Sequence, residues 1–224
     1  MKGFFVTGTD TSIGKTHVSS CLLRELKALD VNPAPFKPVA SGVEANGLNS
    51  DIQSLIQASG YSGDVADICP YLFKPHIAPH IAAEMVSESI SLATIVNTFD
   101  RLAAKNKVIV VEGAGGWRVP ISDDDDMQSL ALTLNLPVIV VVGIRLGCIN
   151  HGLLTLESVA QSKVPILGWI ANHVEEGNYV ADKNVGALRA RSPIDLLGEC
   201  AYGSSDIRWK PTFNLAKCIN NQTL

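Results

Sequence analysis

Residues 4–16 read Phe-Phe-Val-Thr-Gly-Thr-Asp-Thr-Ser-Ile-Gly-Lys-Thr, an apolar strand that runs into a glycine-bounded loop and then a helix. This pattern predicts a phosphate-binding loop, because Gly8 and Gly14 let the backbone turn with positive φ and approach a phosphate. We expect the loop amides to bind phosphate oxygens, Lys15 to neutralise their charge and the Thr16 hydroxyl to bind Mg²⁺. Five residues rather than four separate the two glycines, which departs from the common spacing. The alternative is a glycine-rich strand-to-helix turn that binds nothing.

Composition limits the class of protein. The chain has 224 residues, 46% of them hydrophobic, and a formal net charge of −4. We expect one domain over 1–224 with a substantial core. Because the chain lacks an overall basic charge, we expect it to bind neither nucleic acid nor anionic membranes. The longest strongly apolar run, 137–144, is too short to cross a bilayer, and no signal peptide precedes the first strand. The five scattered cysteines are expected to be reduced thiols of a cytoplasmic protein.

Hydrophobic periodicity predicts strands and helices in alternation. The predicted strands are 3–8, 35–39, 108–111, 137–143, 165–171 and 194–199. The predicted helices are one from the loop to Asp30, one from near 49–50, and 81–86, 92–104, 127–136, 150–162 and 182–191. The first helix should bury Val18, Leu22, Leu23, Leu26 and Leu29. This order predicts an α/β fold with a doubly wound, mostly parallel sheet and helices on both faces, whereas 57–79 and the tail are weakly patterned.

Polar residues follow several predicted strands. Ligands of such folds collect beyond the carboxyl ends of the strands, so 8–16, 37–41, 112–116, 143–150 and Asn172 should open onto one rim. Glu112 ends a buried strand and is the obvious second Mg²⁺ ligand. Asp51 opens a helix, where a carboxylate is more often a cap. Lys37 is either a solvated lysine or, beside Ser41 on this rim, an active-site cation.

Other conspicuous residues receive structural interpretations. The acidic run 123–126 is expected to be a solvated loop before a helix N-terminus. Trp117 and Trp169 are expected to pack in the core or at its rim. No spacing typical of zinc ligands connects the histidines, so none is assigned to a metal; they are His17, His76, His80, His151 and His173.

Seven short blocks spread over roughly 3–199 match one enzyme family. They are Phe-Val-Thr-Gly-Thr-Asp-Thr with Gly-Lys-Thr (5–16), Lys-Pro-Val-Ala-Ser-Gly (37–42), Asn-Ser-Asp (49–51), Pro-His-Ile (79–81), Val-Glu-Gly-Ala-Gly-Gly-Trp (111–117), Leu-Gly-Cys-Ile-Asn-His (146–151) and Gly-Trp-Ile-Ala-Asn (168–172). The chain thereby resembles the dethiobiotin synthetases, whose loop has the same five-residue spacing. That family closes a cyclic urea on 7,8-diaminopelargonic acid with CO₂ and Mg·ATP.

The resemblance implies a P-loop NTPase-like fold and specific roles. It assigns Mg²⁺ to Thr16, Asp51 and Glu112, which reverses the interpretation of Asp51 as a cap. Lys37, Lys15 and Thr11 become the catalytic residues. Contacts to ATP are implied for Ser12, Ile13, Gly14, Lys15, Thr16, His17, Asp51, Glu112, Gly113, Ala114, Gly115, Asn172, His173, Ala201, Tyr202 and Gly203. Substrate contacts are implied for Thr11, Lys37, Ser41, Gly147, Cys148 and Asn150, the last three across a homodimer interface.

Three positions depart from the family pattern. Ser12 stands where the family often has Glu, and His173 stands where an acidic residue is common. Cys-Ala-Tyr-Gly at 200–203 replaces the usual Pro-aromatic-Leu contact with adenine. These changes concern the nucleotide base more than the reaction.

Three other functions are compatible with parts of the pattern. A nucleotide switch of the partition-ATPase type commonly has an additional lysine early in the loop, and Gly-Thr-Asp-Thr at 8–11 has none. A ligase related to cobyrinic acid amidation would need a glutaminase domain, for which the chain is too short. A degenerate paralogue that binds but turns over poorly is the third alternative.

Overall fold

The computed structural model describes residues 2–44 and 47–220, and strands and helices alternate along them. The strands are β1 (Gly3–Gly8), β2 (Pro33–Phe36), β3 (Val39–Ser41), β4 (Tyr71–Phe73), β5 (Val108–Glu112), β6 (Val138–Ile144), β7 (Ile166–His173), β8 (Leu196–Cys200) and β9 (Arg208–Trp209). The helices are α1 (Lys15–Ala28), α2 (Ser50–Ser59), α3 (Val65–Ile68), α4 (Pro79–Glu84), α5 (Leu92–Ala103), α6 (Met127–Leu134), α7 (Cys148–Gln161), α8 (Ala181–Arg191) and α9 (Leu215–Asn220). No described helix is long and apolar enough to cross a membrane.

Seven strands form one sheet in the order β2-β5-β1-β6-β7-β8-β9. Neighbours from β2 to β8 are parallel, and β9 is antiparallel to β8. A second, two-stranded parallel sheet pairs β3 with β4. The predicted mostly parallel α/β sheet is therefore confirmed. Because the parallel strands point the same way, their carboxyl ends lie along one edge, where β1 and β5 are direct neighbours.

Apolar residues cover both faces of the large sheet. Along β1, Phe5 belongs to one buried cluster, whereas Phe4 and Val6 belong to another that includes Leu22 and Leu26 of α1. Successive side chains of a strand point to opposite faces, so the two clusters lie on opposite sides. The prediction that helices cover both faces of the sheet is therefore confirmed. Trp169 is fully buried, and its Nε1 donates a hydrogen bond to the Ile194 carbonyl at 3.1 Å.

Several predicted boundaries were wrong. The strand expected at 35–39 is two strands in different sheets, because the chain breaks at Lys37, whose N–H bonds the Ile68 carbonyl at 2.8 Å instead of a sheet neighbour. Leu29 is 44% exposed rather than on the buried face, because α1 ends at Ala28. Helix α7 begins two residues early, at Cys148, where Gly147 turns the chain with φ 88°.

The weakly patterned segments contain structure that periodicity did not reveal. Between 57 and 79 lie α3 and β4, and the tail supplies β9 and α9. The acidic run ends as predicted at a helix N-terminus, where the Asp126 carboxylate accepts a hydrogen bond from the Ser129 N–H at 2.8 Å. The indole of Trp209 on β9 donates to the Glu25 carboxylate at 2.8 Å and so ties the tail to α1.

Glu199 joins β8 to the tail and gives a prediction about acid stability. Its carboxylate accepts a hydrogen bond from Lys210 Nζ at 2.8 Å, and His173 Nε2 lies 3.4 Å away. Burial works against this charge, but Lys210 and His173 hold the pKa of Glu199 below its ordinary value. The Glu199 carboxylate therefore makes its full contribution to the free energy of unfolding above the pH range in which a carboxyl group ordinarily titrates. This contribution is lost as the pH falls through the folded-state pKa of Glu199.

We expect Glu199→Gln to lower the free energy of unfolding by about 1 kcal/mol at neutral pH, with the difference shrinking toward zero in acid. Urea denaturation of both proteins at a series of pH values measures this. Asp100→Asn is the control, since its pair with Lys2 is exposed on both sides and contributes little. A difference that stays constant over the whole pH range would contradict the assignment.

Asn49 caps α2 and fixes its start. Its Oδ1 accepts from the Ile52 N–H at 3.1 Å, while its Nδ2 donates to the Gly42 carbonyl at 2.7 Å. We expect Asn49→Ala to cost about 1–2 kcal/mol, because it removes a buried cap and leaves a carbonyl unpaired. Ser91→Ala, which removes the more exposed cap of α5, is the control. Thermal unfolding compares the two, and an equal or smaller loss for Asn49→Ala would be the contrary result.

Candidate active site

The loop between β1 and α1 packs against the side chain of Asn172. Gly14 lies at the N-terminus of α1 with φ 85°, and a Cβ at this position would collide with the side-chain amide of Asn172. That amide donates a hydrogen bond to the Ile13 carbonyl at 2.8 Å. Asn172, at the end of β7, therefore lies directly below the loop, and only glycine fits between the loop and this amide.

Lys15 is buried within the curve of the loop. Its Nζ donates to the Asp10 carbonyl at 2.7 Å, and the Asp10 carboxylate pairs with Arg145 at 2.6 Å. Burial, opposed by the carboxylates of Glu112 and Asp51, lowers the pKa of Lys15 to about 8. An anion bound in the loop would stabilise the charged ammonium of Lys15 and offset the cost of burying that charge.

A group of three charged residues, two of them buried, lies beside the loop. Lys37 comes from the break between β2 and β3, Asp51 from the first turn of α2, and Glu112 from the end of β5. Lys37 Nζ donates to Asp51 Oδ2 at 2.7 Å and also forms an ion pair with Glu112 Oε1. The side chain of Lys37 is 5% exposed and that of Glu112 is 0% exposed. Three segments distant in sequence thus meet through one ammonium group.

The carboxylates decide the charge of Lys37. Burial alone would favour the neutral amine, but Glu112 and Asp51 raise the pKa of Lys37 above its ordinary value. Burial likewise opposes the charge of Asp51, whose pKa Lys37 nonetheless lowers. Lys37 and Asp51 are therefore both charged at neutral pH, and the Lys37 ammonium lies between the carboxyl groups of Asp51 and Glu112.

The same residues fit a magnesium ion. Thr16 Oγ1 donates to Glu112 Oε1 at 2.8 Å, and among the described residues nothing hydrogen-bonds the other, fully buried oxygen of Glu112. Asp51, which accepts a hydrogen bond from Lys37, contributes further carboxylate oxygens. Hydroxyl and carboxylate oxygens are the ligands that Mg²⁺ takes in nucleotide sites, so this donor set is suitable.

A cavity of about 630 Å³ brings together ten of the predicted site residues. Predicted residues that line it are Thr11, Ser12, Gly14, Lys15, Thr16, Lys37, Ser41, Asp51, Ala114 and Gly115. Sequence reasoning missed the opposite wall, which is formed by His76, Ile77, Ala78, Pro79 and Val119. The Pro-His-Ile block that begins at Pro79 was the only signal for this wall. The His76 ring packs against Gly42, where φ is 91° and a Cβ would clash.

Other predicted residues lie around this cavity rather than in it. Gly147, Cys148 and Asn150 form the start of α7 and do not line it. Gly113 continues the backbone beyond β5, and its N–H donates to the Val6 carbonyl at 2.9 Å. His17 projects from the first turn of α1 toward Cys21.

A second cavity of about 450 Å³ opens beyond the ends of β7 and β8. Three predicted nucleotide-contacting residues, His173, Ala201 and Tyr202, line it, and Gly203 follows with φ 69°. Glu199 and Arg208 also contribute to its wall. The two cavities therefore divide the predicted residues into a phosphate region and a region at the ends of β7 and β8.

Comparison with solved structures supports the fold. The septum site-determining protein MinD from Pyrococcus horikoshii, complexed with Mg-ADP, superposes with a TM-score of 0.58 at 14% identity, over 90% of this chain and 82% of its own. Chloroplast FtsY from Physcomitrella patens superposes with a TM-score of 0.57 at 13% identity, over 98% of this chain and 64% of the FtsY chain. At these identities the two likenesses show the fold alone, and they confirm the predicted fold class.

Comparison of sequences identifies the family. A family model described as an AAA domain matches residues 2–204. ATP-dependent dethiobiotin synthetase BioD of Nitrosospira multiformis is 44% identical over 90% of this chain and 88% of its own. The protein of the same name from Aromatoleum aromaticum is 43% identical over 88% of this chain and 89% of its own. The protein of that name from Xanthomonas axonopodis pv. citri is 41% identical over 93% of this chain and 91% of its own. The chain belongs to the dethiobiotin synthetase family.

Proposed function

We propose that this protein makes dethiobiotin for biotin biosynthesis, by ATP-dependent carboxylation and ring closure of 7,8-diaminopelargonic acid. The observation that carries the proposal is the meeting of Lys15 and Lys37 at one cavity beside the oxygens of Thr16, Asp51 and Glu112. Family membership at 41–44% identity supports the substrate and products. The protein would be a cytoplasmic enzyme whose one domain spans 1–224.

The phosphates of ATP would occupy the loop. Lys15 would exchange the Asp10 carbonyl for phosphate oxygens, and the first amides of α1 would donate to them. Bound Mg²⁺, held by Thr16, Asp51 and Glu112, would supply charge neutralisation between the phosphates. The base would extend toward Asn172, His173 and the 201–203 turn at the second cavity.

The chemistry is a phosphoryl transfer followed by ring closure. A substrate amine adds to CO₂ and loses a proton, which gives a carbamate. One carbamate oxygen then attacks the γ-phosphorus of ATP, ADP leaves, and a mixed carbamic–phosphoric anhydride forms. The second amine attacks the carbonyl carbon of this anhydride, loses a proton and expels phosphate. Such steps depend mainly on positioning and on neutralising negative charge.

Lys37 would provide that charge at the reacting centre. Its ammonium is held at the cavity wall by two carboxylates, so it is positioned before the substrate arrives. Thr11 and Ser41 line the same cavity, and their hydroxyls would orient the carbamate and the amines. The Ser41 hydroxyl is buried and has no hydrogen-bond partner among the described residues, so it is available to a ligand.

The substrate carboxylate would be bound across a homodimer. The N-terminal turn of α7, with Gly147, Cys148 and Asn150, offers amide donors for an anion. Leu146 and Leu154 on this side are 96% and 59% exposed, which suits an interface. We propose that this face of one protomer completes the substrate site of its partner.

The partition-ATPase alternative rests only on fold similarity. MinD superposes on this chain at 14% identity, which carries no information about partners or substrates. In the loop itself, 8–11 contains no lysine, and Asp10 pairs with Arg145 at 2.6 Å. The biosynthetic function is therefore favoured.

Incorporation of labelled carbon tests the reaction. We expect purified protein with 7,8-diaminopelargonic acid, labelled bicarbonate and Mg·ATP to release ADP and to place label in a neutral cyclic urea, in equal amounts. Mass spectrometry of the product and a coupled ADP assay measure both. ATP turnover without incorporated label would rule out the proposed function, and binding with neither product would indicate the degenerate paralogue.

Lys37→Gln tests the reacting-centre cation. We expect kcat to fall by about 100-fold or more, because a charge that stabilises the transferring group is lost, while nucleotide affinity changes little. Lys107→Gln, on an exposed lysine, is the matched control. Circular dichroism with Mg²⁺ present checks folding, since Glu112 loses its buried partner. Near-normal turnover of folded Lys37→Gln would refute the role.

A further inference from the structure

Three residues with soft or borderline donor atoms meet next to the phosphate loop. His17 and Cys21 are one turn apart on α1, and Cys200 ends β8. Their donor atoms all lie within 4.8 Å of one another, and His17 Nε2 is 3.9 Å from Cys21 Sγ. The spacing of the histidines did not predict this group, because its third member is 179 residues from Cys21 in sequence.

The separations suit a tetrahedral cation. Zinc binds thiolate sulfur at about 2.3 Å and imidazole nitrogen at about 2.0–2.1 Å, which places neighbouring donors about 3.5–3.8 Å apart. The observed separations exceed these values by about 1.3 Å at most. Binding of the cation would draw the three side chains together by this distance.

The neighbours of Cys21 favour a thiolate, whereas its burial opposes one. Cys21 is 3% exposed and Cys200 is 0% exposed, whereas His17 is half-buried. The Arg24 guanidinium donates to Cys21 Sγ at 3.3 Å and to the Ser205 carbonyl at 2.7 Å. A hydrogen bond with Cys200, helped by His17 and Arg24 and opposed by burial, lowers the pKa of Cys21 to about 5. Outer donors of this kind orient metal-bound thiolates.

We propose that His17, Cys21 and Cys200 bind a thiophilic d¹⁰ cation, with Zn²⁺ as the expected ion, and that the fourth coordination position faces the solvent beside His17. The bound ion links the first turn of α1 to the end of β8. It is separate from the oxygen site of Thr16, Asp51 and Glu112, whose ligands suit Mg²⁺. Because the test needs no substrate, its outcome is independent of the proposed reaction.

Cobalt is the spectroscopic probe. The full chain is reduced with a phosphine, its five thiols are counted, and Co²⁺ is then added. We expect one equivalent to give the visible bands of tetrahedral cobalt together with a near-ultraviolet band of thiolate-to-cobalt charge transfer. Zn²⁺ should remove both by competition. A spectrum of oxygen ligation alone, or no spectrum, would overturn the proposal.

Variants assign the ligands. Cys21→Ser and Cys200→Ser should each lower the charge-transfer intensity and weaken Co²⁺ binding at least tenfold, and His17→Gln should weaken binding similarly. Cys218→Ser is the matched control, since this thiol lies on α9 outside the group. Zn²⁺ should raise the Tm of the parent and of Cys218→Ser but not that of Cys200→Ser. Loss of the band in Cys218→Ser, or its retention in both other cysteine variants, would refute the site.

Discussion

The ion pairs of Lys37 with Glu112 and Asp51 are the interaction on which the site depends. A carboxylate with no exposed surface is tolerated only when it is paired, so Glu112 requires a cation at the end of β5. Lys37 meets this requirement from the break between β2, which ends at Phe36, and the smaller sheet. Its second partner, Asp51, lies in the first turn of α2. One ammonium therefore connects both sheets and α2 at the phosphate loop.

The two lysines of the site are held ready by groups of the chain itself. Lys15 bonds a loop carbonyl and Lys37 bonds two carboxylates, so each has a partner that a ligand can replace. A phosphate would displace the carbonyl, and a divalent cation would compete with Lys37 for the carboxylates. Binding of Mg·ATP would then free the Lys37 ammonium to face the reacting groups. This exchange costs little reorganisation because Lys15, Lys37 and Asp51 already line the cavity.

Periodicity and the loop pattern predicted the parallel sheet, most helices and the residues around the phosphate region. The break at Lys37 was not predictable from an apolar run, because the partners of Lys37, which are the Ile68 carbonyl and the carboxylates of Asp51 and Glu112, come from distant segments. A carboxylate at a helix start, such as Asp51, is more often a cap by local rules. Only the resemblance to the family indicated that Asp51 belongs to the magnesium site. The wall that includes His76 lies in a weakly patterned segment. The meeting of Cys21 with Cys200 depends on tertiary packing, which no spacing in the sequence encodes.

The central claim is that Lys37 acts at the terminal phosphate and is more than a structural partner of Glu112. A crystal structure with 7,8-diaminopelargonic acid, Mg²⁺ and a non-hydrolysable ATP analogue tests it most directly. The account predicts that Lys37 Nζ leaves Glu112 and lies within hydrogen-bonding distance of the terminal phosphate or the carbamate. If Lys37 instead keeps both carboxylates while nucleotide and diamine are bound beyond its reach, the account is contradicted.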